Sequence, residues 1–249
     1  MFYINADPHG DYNKIDNFRF RMNLDKNDTM VLLGDVAANY FGDERDKVRK
    51  EWLNNMGMTV FCVQGNHEMR PHHLSQYKLV DFKGGKVWVD DKYPNVLFAK
   101  DGEIYDFDGN KCIVIGGAYS VDKPIRLLRG WKWFEDEQPS NEIKHFVEEQ
   151  LGKNDWKIDY VFSHTCPINY EPVECFLPGL DQKSVDKSTE IWLGLIESKL
   201  DYKKWFVGHY HIDKNIDKMQ FLFNSFESLP MKNIEHDFNT FLESGDEQR

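Results

Sequence analysis

A chain of 249 residues with a formal net charge of −11 and a pI near 5.3 is long enough to hide a sizeable apolar core in one large domain. The acidic balance excludes a surface built to coat a nucleic-acid backbone, which needs clustered Lys and Arg. No apolar run approaches bilayer-spanning length, and Met1 leads into a strand without a charged leader or cleavage site, so a cytoplasmic protein with no membrane partner is expected.

The first strand is expected over residues 2–6. From Tyr12 to Met22, Ile15, Phe18 and Met22 recur at helical spacing. A second strand, Met30 to Leu33, leads to a charged helix whose apolar face would use Val48, Trp52, Leu53 and Met56, and that helix feeds a third strand at Thr59. This βαβαβ order implies a parallel sheet with right-handed crossovers. Beyond Glu68, short strands over 86–90, 96–99, 103–107 and 111–116 are separated by turns such as Lys100-Asp101-Gly102 and Asp108-Gly109-Asn110, the pattern of a hairpin-rich second sheet. A long connection from Ser120 to Gln138 is dense in Arg and Trp, and Ser140 then caps a helix ending near Gly152. A strand ending at His164, a helix from about Lys187 to Lys199, a strand ending at Gly208 and a last strand from Gln220 to Phe226 follow. The expected organisation is one α/β domain over 1–242, two packed sheets flanked by helices, with a polar tail over 243–249.

Five of these strands stop at side chains suited to metal ions. Their ends carry Asp7 and His9, Asp35, Asn66 and His67, His164, and His209 and His211. Loops at the carboxyl ends of neighbouring strands in an open α/β sheet converge on one crevice, so the five ends can share a site. Imidazoles with carboxylates suit Mn, Fe, Zn or Ni, whereas calcium or magnesium would want more oxygen. Asp7, His9, Asp35, Asn66, His164, His209 and His211 are too many ligands for one tetrahedral zinc. They suit two divalent ions roughly 3.5 to 4 Å apart, with the carboxylate of Asp35 as the bridge. Cys62 and Cys112 read as small buried hydrophobes, and Cys166 and Cys175 are too widely spaced for a CxxC pair, so the thiols are expected to be reduced and not ligating.

In their order, Asp7-x-His9, Gly34-Asp35, Gly65-Asn66-His67-Glu68, His164 and Gly208-His209-x-His211 resemble the motif series of the calcineurin-like metallophosphoesterase superfamily, spanning residues 7 to 211. The resemblance implies a four-layered αββα fold of two mixed sheets and a dinuclear site, with manganese the first choice of metal. It implies Asp7, His9 and His211 on one ion, Asn66, His164 and His209 on the other, and Asp35 on both. It further implies in-line attack of a metal-bound hydroxide on phosphorus, Asn66 steadying the phosphoryl oxygen, and His67 as general acid to the leaving oxygen. One departure stands out: where many members carry Asp, often followed by Arg, to orient the catalytic histidine, this chain has Ala38 and Asn39. Asn39, Asp11 or Glu68 could take over that task.

Arg70, Arg126 and Arg129 are candidate phosphate-gripping groups, with Trp131 and Trp133 as stacking surfaces. The alternative is that the tryptophans anchor the 120–138 connection and the arginines pair with Glu135, Asp136 and Glu137. His72, His73, His145 and His236 lack the strand-end context and read as surface residues. Three functions follow: a phosphomonoesterase acting on a phosphorylated small molecule or phosphoprotein, a phosphodiesterase acting on nucleotides or cyclic nucleotides, and a binding scaffold without activity. The complete ligand set disfavours the last.

Overall fold

The computed structural model describes residues 1–176, 178, 179 and 181–230; the expected polar tail and His236 lie outside them. In chain order the elements are β1 (Phe2–Asn5), α1 (Asn13–Met22), β2 (Thr29–Leu32), α2 (Glu44–Asn54), β3 (Thr59–Cys62), β4 (Tyr77–Phe82), β5 (Gly85–Asp90), β6 (Val96–Ala99), β7 (Ile104–Phe107), β8 (Asn110–Ile115), α3 (Lys123–Arg129), α4 (Asn141–Lys153), β9 (Tyr160–Ser163), α5 (Ser188–Glu197), β10 (Lys204–Val207), β11 (Lys214–Ile216), β12 (Met219–Phe221) and β13 (Glu227–Leu229).

Every residue of β1, β2, β6 and β9 is buried. That is the burial expected of strands covered on both faces, and it is why they read as unbroken apolar runs. They build two mixed sheets, ordered β13-β1-β2-β3-β6-β5-β4 and β11-β12-β10-β9-β8-β7. In the first, β1, β2, β3 and β6 run parallel; in the second, β12, β10, β9 and β8 do. Phe61, Val31 and Phe2 of the first sheet meet Phe107, Phe162 and Phe206 of the second in a shared core, with Phe2 stacked on Phe107 at 4.1 Å. The outer face of the first sheet packs Met30, Leu32 and Val60 on Ile15 of α1 and Leu53 of α2. That of the second packs Val161, Trp205 and Val207 on Val147 and Leu151 of α4 and Leu193 and Ile196 of α5. The result is a four-layered αββα sandwich. Each fully buried Phe contributes roughly 1.5–3 kcal/mol to it.

Some expected elements come out differently. The inner face of α2 is Asp46, Lys50 and Leu53, while Val48 and Trp52 are 62% and 40% exposed. Asp46 accepts hydrogen bonds from the Phe41 and Gly42 amides at 2.9 and 2.6 Å, and Lys50 lies 3.9 Å from Asp90, so satisfied polar groups occupy positions where apolar ones were expected. Of the strand expected over 220–226, only the first two residues are strand, as the end of β12. The Asp213 carboxylate takes the amides of Phe223, Asn224 and Ser225, and β13 then pairs antiparallel with β1. The connection from Ser120 to Gln138 contains α3, whose Ile125, Leu127 and Leu128 face solvent.

Candidate metal centre

The parallel registers bring the carboxyl ends of β1, β2 and β3 side by side, opposite those of β9 and β10. One hydrogen bond ties the two edges together: His164 Nδ1–H donates to the Leu33 carbonyl at 2.7 Å. Asp7, His9, Asp35, His209 and His211 have φ between 48° and 67°, a left-handed backbone that costs a non-glycine residue about 1–3 kcal/mol. Strain of this kind at five strand-end residues turns their side chains into one space. Gly34, at φ 93°, completes the approach, because a Cβ there would strike the His164 ring.

Asp35 stands at the centre. Its Oδ2 lies 3.7 Å from His9 Nε2 and 3.9 Å from His67 Nε2, and its Oδ1 lies 3.6 Å from His164 Nε2. Asp7 Oδ1 is 3.8 Å from His164 Nδ1, and one ligand atom each of Asp7, His9 and His211 lies within 4.8 Å of the others. The His209 ring sits edge-on to His164, 5.0 Å between centroids. All seven expected ligands thus gather in one place.

Two features of the donor set fit cations. Among the described residues, both oxygens of the Asp7 carboxylate are buried without a hydrogen-bond partner, an arrangement that costs several kcal/mol for an ionised group unless a charge compensates it. In addition, acceptors face one another. Asn66 Nδ2 donates to Ser120 Oγ at 2.8 Å, and that hydroxyl donates to Glu137 at 2.5 Å, so Asn66 Oδ1 is turned to His164 Nε2 at 2.7 Å. Since His164 Nδ1 carries the hydrogen given to Leu33, two lone pairs meet unless the ring is doubly protonated. His9 Nε2 and His211 Nε2 stand 2.9 Å apart. Burial pushes the pKa of His9 down and that of His209 far down, and burial with the neighbouring His9 pushes His211 down to about 4, so these rings offer lone pairs. Burial and the nearby Asp35 push the Asp7 carboxyl well up, as expected of two carboxylates sharing a buried cage before a cation compensates them.

His67 is next to this cluster, its amide donating to Asp35 Oδ1 at 2.9 Å. The residues expected to orient its ring are engaged elsewhere: Asn39 Oδ1 accepts from Tyr77, Asp11 from Asn13, and Glu68 from the Gly65 amide. The partner is Arg126, whose Nη2 bonds His67 Nδ1 in a short contact. Arg126 is itself clamped by Asp122 at 2.7 Å and by Tyr40 and the Lys132 carbonyl at 3.1 Å. A guanidinium only donates, so Nδ1 accepts and the neutral ring carries its hydrogen on Nε2. Burial first, and Arg126 as well, lower the pKa of His67.

Of the other expected phosphate-gripping groups, Arg70 is buried and paired with Asp101 at 2.5 Å, its Nε donating to the Asp136 carbonyl at 2.8 Å. It lines a separate cavity with His72 and Trp88. Arg129 is exposed and lies over Trp131. His72, His73 and His145 are exposed. Ser120 and Glu137, both buried, are not among the expected site residues; Glu137, expected to pair with an arginine, accepts from Ser120 instead, and nothing in the spacing of the 120–138 connection marks the two as a support for Asn66.

The chain matches the family model for calcineurin-like phosphoesterases over residues 2–213 and belongs to that family. Its members are metal-dependent hydrolases of phosphate esters. Among solved structures, TT1561 of Thermus thermophilus is similar at 12% identity and a TM-score of 0.51, over 89% of this chain and 87% of that one. Phosphopantetheinyl hydrolase (PptH) of Mycobacterium tuberculosis aligns at 14% identity and a TM-score of 0.44, over 88% of this chain and 86% of that one. Compared with curated proteins, the sequence has no significant match. Among the described residues no helix is long and apolar enough to cross a membrane.

Proposed function

We propose that this protein is a dinuclear phosphoesterase that hydrolyses phosphate monoesters of a small molecule or a protein. The observation that carries the reading is the convergence of unpaired acceptors: the bare Asp7 carboxylate, Asn66 Oδ1 against His164 Nε2, and His9 against His211. Asp7, His9 and His211 would hold one divalent ion and Asn66, His164 and His209 the other. Asp35, with imidazoles on both of its oxygens, would hold both. Manganese is the ion we assign, with iron, zinc or nickel as alternatives of similar ligand preference. When bound, the ions supply Lewis-acid polarisation and a lowered water pKa.

The rest falls to the chain itself. His67, fixed by Arg126, presents Nε2–H to the leaving oxygen. With its pKa depressed, it acts at neutral pH as a neutral hydrogen-bond donor and gives up a full proton only in the acidic range. Asn66, braced through Ser120, keeps its amide from rotating and so keeps Oδ1 turned to the cluster.

The test is hydrolysis by manganese-loaded protein of p-nitrophenyl phosphate beside its bis ester, with elemental analysis. Two ions per chain and faster turnover of the monoester are expected, with Asp35→Ala losing metal and activity together. Preference for the bis ester or a cyclic nucleotide would make the protein a phosphodiesterase. Bound metal without turnover on either ester or a nucleotide panel would make it a scaffold.

A further inference from the structure

The ligand cluster forms the floor of a cavity of about 350 Å³. Its walls are largely apolar, with Tyr119, Val121, Phe176, Val185 and Tyr210 among them. The Phe176 and Tyr210 rings lie 12° from parallel with centroids 6.3 Å apart. Three carboxylates outside the ligand set, Asp122, Glu171 and Glu190, also line the space, and no Lys or Arg among the described residues does.

Two of those carboxylates already have cations. Asp122 binds Arg126 at 2.7 Å and Glu171 binds Lys187 at 2.6 Å. Glu190 has none. It is 4% exposed; Oε1 accepts the Thr165 hydroxyl at 2.7 Å, and Oε2 is buried with no hydrogen-bond partner among the described residues. A buried carboxylate oxygen left bare carries an uncompensated desolvation penalty, and such a group lining a substrate cavity is a place where a ligand donor can supply the missing bond. Burial pushes its pKa up to about 7, outweighing the Thr165 hydrogen bond and the more distant Lys187, which pull it down.

Resting on the phosphoesterase reading, we infer that the cavity selects monoesters whose organic part is apolar or flat and carries an ammonium or N–H donor, received by Glu190, and that it rejects polyanionic esters. A second phosphate or an acidic peptide flank would meet the unpaired Glu190 and two carboxylates whose cations are already engaged, with no Lys or Arg among the described lining residues to receive it. The phosphoryl group itself lies over the ligand cluster, so the discrimination belongs to the leaving-group side.

The experiment uses phosphonates, whose carbon–phosphorus bond removes turnover from the readout. Calorimetry on the manganese-loaded protein compares 3-aminopropylphosphonate, butylphosphonate and 3-phosphonopropionate, which are ammonium, neutral and carboxylate versions of one shape. A charge-assisted hydrogen bond predicts about 10-fold or greater preference for the ammonium compound over the neutral one, with the carboxylate weakest. Glu190→Gln should lose about an order of magnitude of the ammonium-to-neutral ratio, and Glu190→Asp should retain part of it. Equal binding of the ammonium and carboxylate compounds, or an unchanged ratio in Glu190→Gln, overturns the inference while p-nitrophenyl phosphate hydrolysis stands. Metal-loaded protein that binds none of the three overturns it together with the phosphoesterase reading.

Discussion

Ser120→Ala isolates the support beneath Asn66. The serine hydroxyl accepts from Asn66 Nδ2 at 2.8 Å and donates to Glu137 at 2.5 Å, so the substitution frees the amide to rotate and removes one partner of a buried carboxylate. A neutral hydrogen bond of about 0.5–1.5 kcal/mol corresponds to roughly a 2- to 12-fold change in the equilibrium that keeps Oδ1 turned to His164. Removing groups that orient a metal ligand costs about 10- to 100-fold in affinity or activity, so a loss of roughly tenfold in manganese affinity lies where the two ranges meet. The Ser120 amide still donates to Glu137 Oε1 at 3.0 Å, which limits the accompanying loss of stability. Manganese titration by calorimetry gives the affinity, thermal melting in excess chelator gives the stability of the metal-free fold, and Ser120→Thr, which keeps the hydroxyl, should bind metal like the parent. Unchanged manganese affinity in Ser120→Ala would refute the claim that this chain of bonds holds Asn66.

Arg126→Met removes a cation from His67 and frees the Asp122 carboxylate beside it, and both changes raise the His67 pKa; the inflection in the pH profile of kcat/KM should move up, and an unmoved inflection would mean that Arg126 does not tune the ring. Arg70→Met leaves Asp101 buried with its cation gone, a loss of about 3–5 kcal/mol. It should lower the melting temperature while kcat/KM of the metal-loaded fraction stays within about twofold, whereas a collapse in KM would return Arg70 to substrate binding. Glu190 illustrates linkage: its folded pKa is raised from 4.5 to about 7, so the stability it contributes is full below the unfolded value and is lost as pH rises through the folded one. At about 1.4 kcal/mol per unit this is roughly 3 kcal/mol; Glu190→Gln should therefore gain on the parent in melting temperature between pH 4.5 and 7, and parallel curves would contradict the burial argument.

The parallel core was legible because strands buried on both faces must be continuous apolar runs, and because Asp, Asn and His directly after such runs are conspicuous. Chain order and parallel pairing then bring Asp7, Asp35 and Asn66 to one edge. Other features had no comparable signature. α3 keeps its apolar residues toward solvent, so no inward period betrays it. In α2, Asp46 and Lys50 occupy the inner face with their own polar partners, against the rule that buried positions are apolar. β4 pairs with β5 around Lys83 and Gly84, which have φ of 48° and 88°, but its outer positions include Leu79 at 38% exposure, which blurs the alternation. The partnership of Arg126 with His67 joins residues 59 positions apart, and no local pattern encodes it.

The segment between Ser120 and Gln138 reaches the centre at two points: its ends supply Ser120 and Glu137 behind Asn66, and its middle supplies Arg126 against His67. On the proposed function, ion retention and hydrogen-bond donation by the His67 imidazole are therefore mechanically yoked. An engineer who grafts a foreign insert here to widen the substrate range inherits both tasks at once, and a graft lacking either the hydroxyl–carboxylate prop or the guanidinium would yield an enzyme crippled in a manner that its new specificity could not reveal.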